Sequence, residues 1–376
     1  MVLSVLGCGK ESAPKDTDDT DKLTVTDGTG CKLPKRSPDY ELGLGFPHDP
    51  NRQRTTGTVK VAVIFVDFSD AAATRSPQEV FNLLSPASET FISTVSHAKL
   101  QVVFAPKFKW YRMSKPSTGY GWNHLTFDLH KVYIREAVNL ADADYDFSQT
   151  DEIVVVSNPY GGVFANGPTF IGSPGNGIFA DGHTILNAVT TGKDLLVFRG
   201  LWFPHEFGHS MGLPDLYAYA GPLHGYVGDF SLMGNILGTA PTYNAWEQWE
   251  FGWVDDSQVS CAKGKGTGTQ QLSPVEGRDG TKLLVLPIDV TTAVIVEDRR
   301  ASGYDSPVEK EGPLVYLIDT RISNGQGGLK VLPGNINDQS KRDAPLSIGQ
   351  QITYKNITVK CTASAIGGST VTYERK

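Results

Sequence analysis

The feature that most constrains the fold is an uninterrupted apolar run, VAVIFV, at residues 61–66, which is followed by the polar and acidic residues DFSD. Its length is far below the roughly 20 residues that span a bilayer as a helix. Because the run is rich in β-branched residues and ends at turn-forming ones, it predicts a strand that is buried in a sheet. The chain is therefore expected to build a layered globular core around this strand.

Segments with helical and strand patterns then alternate, which is typical of an α/β layer arrangement. Helices are predicted within 76–96 and 123–143, strands within 99–113 and 151–160, and loops with a strand near 183–189 in the Gly-rich stretch 161–192. Beyond residue 254 the runs are short, β-rich and separated by Gly, Asp and Ser turns, which indicates a smaller antiparallel, sandwich-like domain. We therefore predict a polar leader, linker or pro-segment at 1–55, an α/β domain at 56–255 and a β-rich domain at 256–376.

The charge balance excludes some classes of partner. The formal net charge is −7, and the sequence contains no block of Lys and Arg. This argues against nucleic acid or an anionic membrane surface as the main partner. No apolar run is long enough to predict a transmembrane helix.

The N-terminus suggests export. Val5-Leu6-Gly7-Cys8 resembles a bacterial lipobox, in which the cysteine is lipidated after cleavage, and an acidic run at 16–21 suits a disordered leader. We predict a secreted or extracellular protein, or a surface lipoprotein with a lipid anchor at Cys8.

The segment HEFGH predicts a metal site. On an α-helix, residues four apart share a face, so the side chains of His205 and His209 point the same way and can bind one Zn²⁺. Glu206 projects beside them and can accept a proton from a water that the zinc activates, as in other H-E-x-x-H helices. The apolar neighbours of this helix would keep the site dry.

A catalytic zinc needs a third protein ligand. Gly212 can end the helix, Pro214 prevents its continuation, and the returning chain can bring Asp215 to the metal. Three alternatives remain open, namely Glu247 and Glu250 on the predicted helix NAWEQWEF, and His224.

The motif H-E-x-x-H-x-x-G-x-x-D resembles the metzincin signature with aspartate as the last ligand. Together with SLMGN and AWEQWEFGW, it is similar to the immune inhibitor A family of secreted bacterial zinc metallopeptidases. The resemblance implies a metzincin-like catalytic domain with a mixed twisted sheet and an active-site helix. It implies that His205 and His209 are ligands of a single catalytic zinc, with Asp215 as the third, that Glu206 is general base and acid, and that Met233 is the methionine of the Met-turn.

Further residues are candidates for secondary roles. Tyr243, or Tyr217, could donate a hydrogen bond to the oxyanion of the reaction, although aromatic packing explains both tyrosines as well. The alternating acids Asp142, Asp144 and Asp146 lack the glycine and glutamate of an EF-hand loop. We interpret them as a turn, with a Ca²⁺ site as the alternative.

The cysteine positions allow a pairing hypothesis. Cys261 and Cys361 both lie in the β-rich region, so we predict a disulfide between them in an exported protein. With Cys8 lipidated, Cys31 is then unpaired. Its thiolate could occupy the open zinc position and keep the enzyme latent; the alternative is a free thiol in a flexible segment.

These observations predict a zinc-dependent endopeptidase that hydrolyses protein or peptide substrates. The residues alone support a zinc hydrolase, and the protein substrate follows from the family resemblance. The alternatives are a zinc amidase or deacetylase acting on non-protein amides, and a metal-binding surface protein without catalysis.

Overall fold

The computed structural model describes residues 22–38, 42–333 and 337–376. This part of the chain is a mixed α/β protein that contains a five-stranded sheet, a six-stranded sheet, a four-stranded antiparallel sheet and a two-stranded hairpin. The predicted lipid anchor at Cys8 lies outside the described residues. Among the described residues, no helix has the length and apolar character needed to cross a bilayer.

The helices alternate with the strands in the first two thirds of the chain, as the sequence predicts. The helices are α1 (Pro77–Phe81), α2 (Ala87–Val95), α3 (Phe127–Ala141), α4 (Asp194–Phe198), α5 (Trp202–Ser210) and α6 (Ala245–Glu250). The first eight strands are β1 (Thr24–Thr26), β2 (Gly57–Asp67), β3 (Leu100–Arg112), β4 (Glu152–Ser157), β5 (Thr169–Ile171), β6 (Ile178–Ala180), β7 (His183–Ile185) and β8 (Asn187–Thr190). The other nine are β9 (Val259–Lys263), β10 (Gly266–Leu272), β11 (Leu283–Pro287), β12 (Thr292–Arg299), β13 (Gly312–Asp319), β14 (Leu329–Val331), β15 (Gln351–Tyr354), β16 (Ile357–Ala365) and β17 (Gly368–Arg375).

The five-stranded sheet has the order β3-β2-β4-β8-β5, in which β5 is an antiparallel edge strand and the other strands are parallel. Successive side chains of β2 point to opposite faces of the sheet, and both faces are buried. Val61 and Val63 belong to one core cluster, which includes residues of α2 and α5. Ala62 and Ile64 belong to a second cluster, which includes residues of α3. The apolar run at 61–66 is thus part of a buried interior strand, as predicted.

The C-terminal third forms a six-stranded sheet, β1-β9-β11-β12-β13-β14, and a four-stranded sheet, β10-β17-β16-β15. Alternation in β12 again explains the layers, since Ile295 joins the core of α5 and α6 while Val296 joins a core shared with the four-stranded sheet. The four-stranded sheet is antiparallel, as predicted. The six-stranded sheet departs from the prediction because β9 and β11 pair in parallel. Strand β10, which follows β9 in sequence, belongs to the four-stranded sheet. Strand β11 then pairs with β9 and runs in the same direction.

The first strand of the described residues belongs to this β region. Strand β1 pairs antiparallel with β9 and forms the edge of the six-stranded sheet. The domain boundaries proposed from the sequence remain predictions.

A buried carboxyl at the start of β4 should make stability depend on pH. Glu152 accepts hydrogen bonds from Ser210 Oγ at 2.6 Å and from Gln53 Nε2 at 3.2 Å. Burial raises the pKa of Glu152 from its ordinary value of 4.5 to about 8. The folded state therefore favours the protonated form, so the stability that this group contributes is complete below pH 4.5 and is lost as the pH rises through about 8.

Because glutamine stays neutral, Glu152→Gln should become more stable relative to the parent as the pH rises from 5 to 9. The gain should exceed about 1.4 kcal/mol, the free energy that corresponds to one pKa unit. Urea unfolding at each pH measures it, with Glu374→Gln, at an exposed position of β17, as the control. A difference in unfolding free energy that does not change with pH would contradict this assignment.

Candidate metal centre

Helix α5 carries both histidines of the predicted site. All of its residues are buried except Glu206, which is partly exposed. The helix ends because Gly212 adopts φ of 104°, a left-handed conformation that glycine adopts without strain. The Gly212 N–H donates to the His209 carbonyl at 2.8 Å, and the chain then turns back toward the helix. This local geometry brings Asp215 to the same place as the two imidazoles.

The three side chains converge on one point. Asp215 Oδ1 lies 3.1 Å from His209 Nε2 and 3.4 Å from His205 Nε2, and all three residues are buried. A tetrahedral zinc with bonds of about 2.0–2.1 Å holds its ligand atoms roughly 3.3 Å apart. Both distances are therefore compatible with ligands of one ion, and the three residues form a group that could hold a metal.

The hydrogen bonds of the imidazoles support the same assignment. His205 Nδ1 faces the Leu232 carbonyl at 2.9 Å, and His209 Nδ1 faces the Leu213 carbonyl at 2.8 Å. Because a carbonyl only accepts, each Nδ1 carries a proton, and in the neutral imidazole the Nε2 lone pair points toward Asp215. Asp215 Oδ1 is buried without a hydrogen-bond partner of good geometry. Two nitrogen lone pairs and one such oxygen fit a bound cation, and this donor set fits zinc.

The charges of the three side chains are coupled. Burial opposes ionisation of Asp215, but the adjacent His209 and His205 hold its pKa below its ordinary value. Burial alone would lower the pKa of His209, whereas the Asp215 carboxylate raises it to about 9. Asp215 is thus an anion at neutral pH, and a proton competes with a metal ion for His209 Nε2.

Glu206 lies beside the three converging side chains and is held in place by β5. Its Oε2 accepts a hydrogen bond from Thr169 Oγ1 at 2.7 Å, and the same hydroxyl lies 2.8 Å from the Glu206 carbonyl. Burial raises the pKa of Glu206, although the charges of His205 and His209 partly oppose this shift. A raised pKa suits a carboxylate that must take and return a proton near neutral pH.

A cavity of about 790 Å³ opens above these groups. His205, Glu206, His209 and Asp215 line it together with edge strand β5, and several of its other lining residues are aromatic or aliphatic: Trp122, Phe198, Trp202, Ile236 and Leu237. None of the described residues that line it is Lys or Arg. The cavity has the size of a ligand-binding pocket.

Two other predicted residues lie at or beside the site. Met233 packs directly against α5 at Gly208. A side chain at residue 208 would clash with it, because a Cβ there would lie 2.6 Å from Met233 Sδ. Tyr217 lines the cavity, and its ring stacks on His205 with centroids 6.3 Å apart. Tyr217 is therefore the better placed of the two tyrosine candidates.

Tyr243 is not brought to the cavity. It is fully buried, and its hydroxyl donates to the Pro204 carbonyl at 2.5 Å. It packs against Phe251 and Trp253, with ring centroids 5.8 and 5.6 Å apart. This is the aromatic packing that the sequence left open as the alternative.

The alternative third ligands also lie elsewhere. Glu247 accepts hydrogen bonds from Ser231 Oγ and the Asn244 N–H, so it caps α6. Glu250 does not line the cavity, whereas His224 does, with its Nδ1 facing the Gly234 carbonyl. Throughout the described ranges, the only His, Cys, Asp and Glu cluster with metal-ligand spacing is that of His205, His209 and Asp215.

The alternating acids after α3 have other partners. Asp144 binds Lys109 Nζ and Tyr111 Oη, both at 2.7 Å, and Asp146 accepts from the Ser148 N–H. These contacts belong to the turn between α3 and β4, and no cation cluster is found there among the described residues.

The predicted Cys261–Cys361 disulfide is wrong. Cys261 is bonded to Cys31, and Cys361 is a buried free thiol. Cys261 belongs to the core of α5 and α6, whereas Cys361 belongs to the core between the two C-terminal sheets, so their side chains occupy opposite faces of the six-stranded sheet. The latency hypothesis for Cys31 is wrong for the same reason, because a buried, bonded sulfur cannot supply a thiolate to a metal.

The disulfide should contribute strongly to stability. It links the N-terminal segment to β9 across 230 residues, and the loss of a native disulfide typically costs about 2–5 kcal/mol. The double variant Cys31→Ser with Cys261→Ser should therefore have an unfolding free energy that is lower by that amount in denaturant titrations, while Cys361→Ala should change stability less. Non-reducing peptide mapping should find Cys31 linked to Cys261; a Cys261–Cys361 peptide would contradict the structure.

Sequence reasoning missed Thr169, Tyr219 and Asn324, which contact Glu206 or Asp215. Tyr219 follows Asp215 by four residues and could have been suspected from that spacing. Thr169 and Asn324 are remote in sequence from the residues they contact, and no local pattern marks them.

No known protein-family profile matches the chain, and no curated protein matches its sequence. The resemblance to the immune inhibitor A family therefore depends on the motif itself. The structure adds a buried His205-His209-Asp215 group that is consistent with an H-E-x-x-H type of site.

Proposed function

We propose that this protein is a zinc-dependent endopeptidase whose metal is held by His205, His209 and Asp215. The observation that supports this most strongly is the convergence of His205 Nε2, His209 Nε2 and Asp215 Oδ1 at the cavity, with Glu206 alongside. Three protein ligands is the number found in catalytic zinc sites, whereas structural sites usually have four.

The remaining residues supply the acid–base chemistry. Bound zinc would provide Lewis acidity toward a water molecule and the scissile carbonyl. Glu206, held by Thr169, would take the proton of the attacking water and return it to the leaving amine. Tyr217 stacks on His205 at the cavity wall, where its hydroxyl is a candidate donor to the developing oxyanion. Met233 would support the helix from below, as the methionine of a Met-turn does.

The cavity supports a peptide as substrate. Its apolar walls favour apolar side chains near the scissile bond, and its described lining residues include no Lys or Arg that could pair with an acidic side chain. We further propose that the substrate is a protein and that this protein is exported. The proposed catalytic unit is 56–255, followed by a β-rich unit at 256–376. The Cys31–Cys261 disulfide supports export, because disulfides persist in oxidising compartments.

Metal removal tests the proposal directly. Purified protein should contain about one zinc per chain, the number that one group of three ligands can hold. Dialysis against a chelator should abolish casein hydrolysis, and one equivalent of Zn²⁺ should restore it. Hydrolysis of small amides but not of casein would instead favour an amidase. Zinc binding with neither activity would favour a metal-binding surface protein.

A further inference from the structure

A turn from the C-terminal β region forms hydrogen bonds with Asp215, the proposed third ligand. Residues 324–325, between β13 and β14, form hydrogen bonds with the segment 215–219, which we call the ligand turn. The Asp215 N–H donates to Asn324 Oδ1 at 2.5 Å, and the Gly325 N–H donates to the Asp215 carbonyl at 3.2 Å. The Tyr219 N–H donates to the Gly325 carbonyl at 3.0 Å. Two segments 109 residues apart in sequence are thus joined around Asp215.

The side chains of this contact form a directed chain of hydrogen bonds. Tyr219 Oη donates to Asp215 Oδ2 at 2.5 Å, because a carboxylate can only accept. The Tyr219 hydroxyl therefore accepts from Asn324 Nδ2, which lies 2.7 Å away. This fixes the amide orientation of Asn324, whose Oδ1 then faces the Asp215 N–H. The three hydrogen bonds are consistent with one another in their donors and acceptors.

The chain also decides which oxygen of Asp215 faces the histidines. Oδ2 is engaged by Tyr219, whereas Oδ1 points to His205 Nε2 and His209 Nε2 without a hydrogen-bond partner of good geometry. A carboxylate held in this way offers a single oxygen to an ion. Outer hydrogen bonds of this type orient ligands and commonly change metal affinity by about 10–100-fold.

Simple packing does not account for Tyr219. Its side chain is 58% exposed, so it buries little apolar surface. Its ring lies against Gly325, where φ is 65° and a Cβ would come within 2.3 Å of the ring. Because Gly325 has no side chain, the Tyr219 ring can lie against its backbone, and the Tyr219 hydroxyl then reaches Asp215.

We propose that Asn324 and Tyr219 are positioning residues that fix Asp215 as a one-oxygen metal ligand, so that the C-terminal β region completes the metal site. This inference rests on the proposed metal site. It assigns the β region a role in metal binding that is independent of any substrate.

Zinc affinity tests it without any activity assay. The parent protein, Asn324→Ala and Tyr219→Phe are each titrated with Zn²⁺ in competition with a chromophoric chelator. Both variants should bind zinc about 10–100-fold more weakly than the parent. Gln326→Ala, which removes an exposed amide from the same turn, should bind like the parent. Thermal unfolding of the metal-free proteins shows that each variant is folded at the temperature of titration; Tyr219→Phe removes only a hydroxyl and keeps the ring.

Cobalt provides a second readout. In Tyr219→Phe, Asp215 Oδ2 loses the hydrogen bond from Tyr219 and can join Oδ1 on the metal, so the d–d absorption of bound Co²⁺ should weaken as the coordination number rises. An effect on stability alone would leave this spectrum unchanged.

The outcomes separate the two proposals. Parent-like zinc affinity and cobalt spectra in both variants would overturn the positioning role and leave the proposed function intact. Zinc binding that weakens as expected, in a protein without peptidase activity, would support the positioning role and remove the proposed function. A parent protein that binds no zinc would overturn both.

Discussion

Glu206→Gln should lower kcat/KM for casein hydrolysis by about 10²–10⁴-fold, the contribution typical of a positioned general base. The amide keeps the size of the side chain and can still contact Thr169 Oγ1, which lies 2.7 Å from Glu206 Oε2. It cannot accept a proton from water at neutral pH. The loss should therefore appear mainly in kcat, with little change in KM.

Zinc content separates this effect from damage to the site. Because Glu206 is not among the three converging ligands, the glutamine variant should retain the zinc content of the parent. Activity equal to the parent in a zinc-loaded variant would eliminate Glu206 as the base. Loss of both zinc and activity would show that the residue acts on metal binding instead.

Asp215→Ala should weaken zinc binding by more than about 100-fold, since loss of a hydrogen-bond partner of a metal ligand alone lowers metal affinity by about 10–100-fold. Removal of the carboxylate takes away both an oxygen ligand and the buried negative charge beside two histidines. It also removes the interaction that raises the pKa of His209 to about 9. Zinc per chain after dialysis, and a competition titration, measure the change.

Glu250→Gln is the matched comparison for this experiment. Glu250 is one of the two alternative ligands on α6, and it does not line the cavity. Its variant should retain zinc with the affinity of the parent. If Glu250→Gln lost zinc and Asp215→Ala kept it, the assignment of the third ligand would be reversed.

The core of the site was predictable because it is local in sequence. One turn of helix separates His205 from His209, and Gly212 then reverses the chain over a few residues. On any α-helix, this spacing places both side chains on the same face, independently of the rest of the fold. The same holds for β2, whose apolar run specifies burial on both faces.

The contacts that support the site were not predictable from sequence alone, because they are long-range. Asn324 meets Asp215 only when β13 and β14 have formed and the turn between them has docked. The cysteine pairing failed for a related reason: membership of the same region said nothing about which face of the sheet each sulfur occupies. Tyr243 is buried with its hydroxyl on the Pro204 carbonyl, and this contact depends on tertiary packing.

The Cys31–Cys261 bond and the β1–β9 pairing have a consequence for shortened forms of the protein. A chain that begins at residue 56 would leave the sulfur of Cys261 reactive and expose the backbone edge of β9, which can then pair with another molecule. Proteolysis between residues 32 and 56 has a different result. It would yield a nicked, two-chain species whose small fragment stays attached and separates on a gel only after reduction.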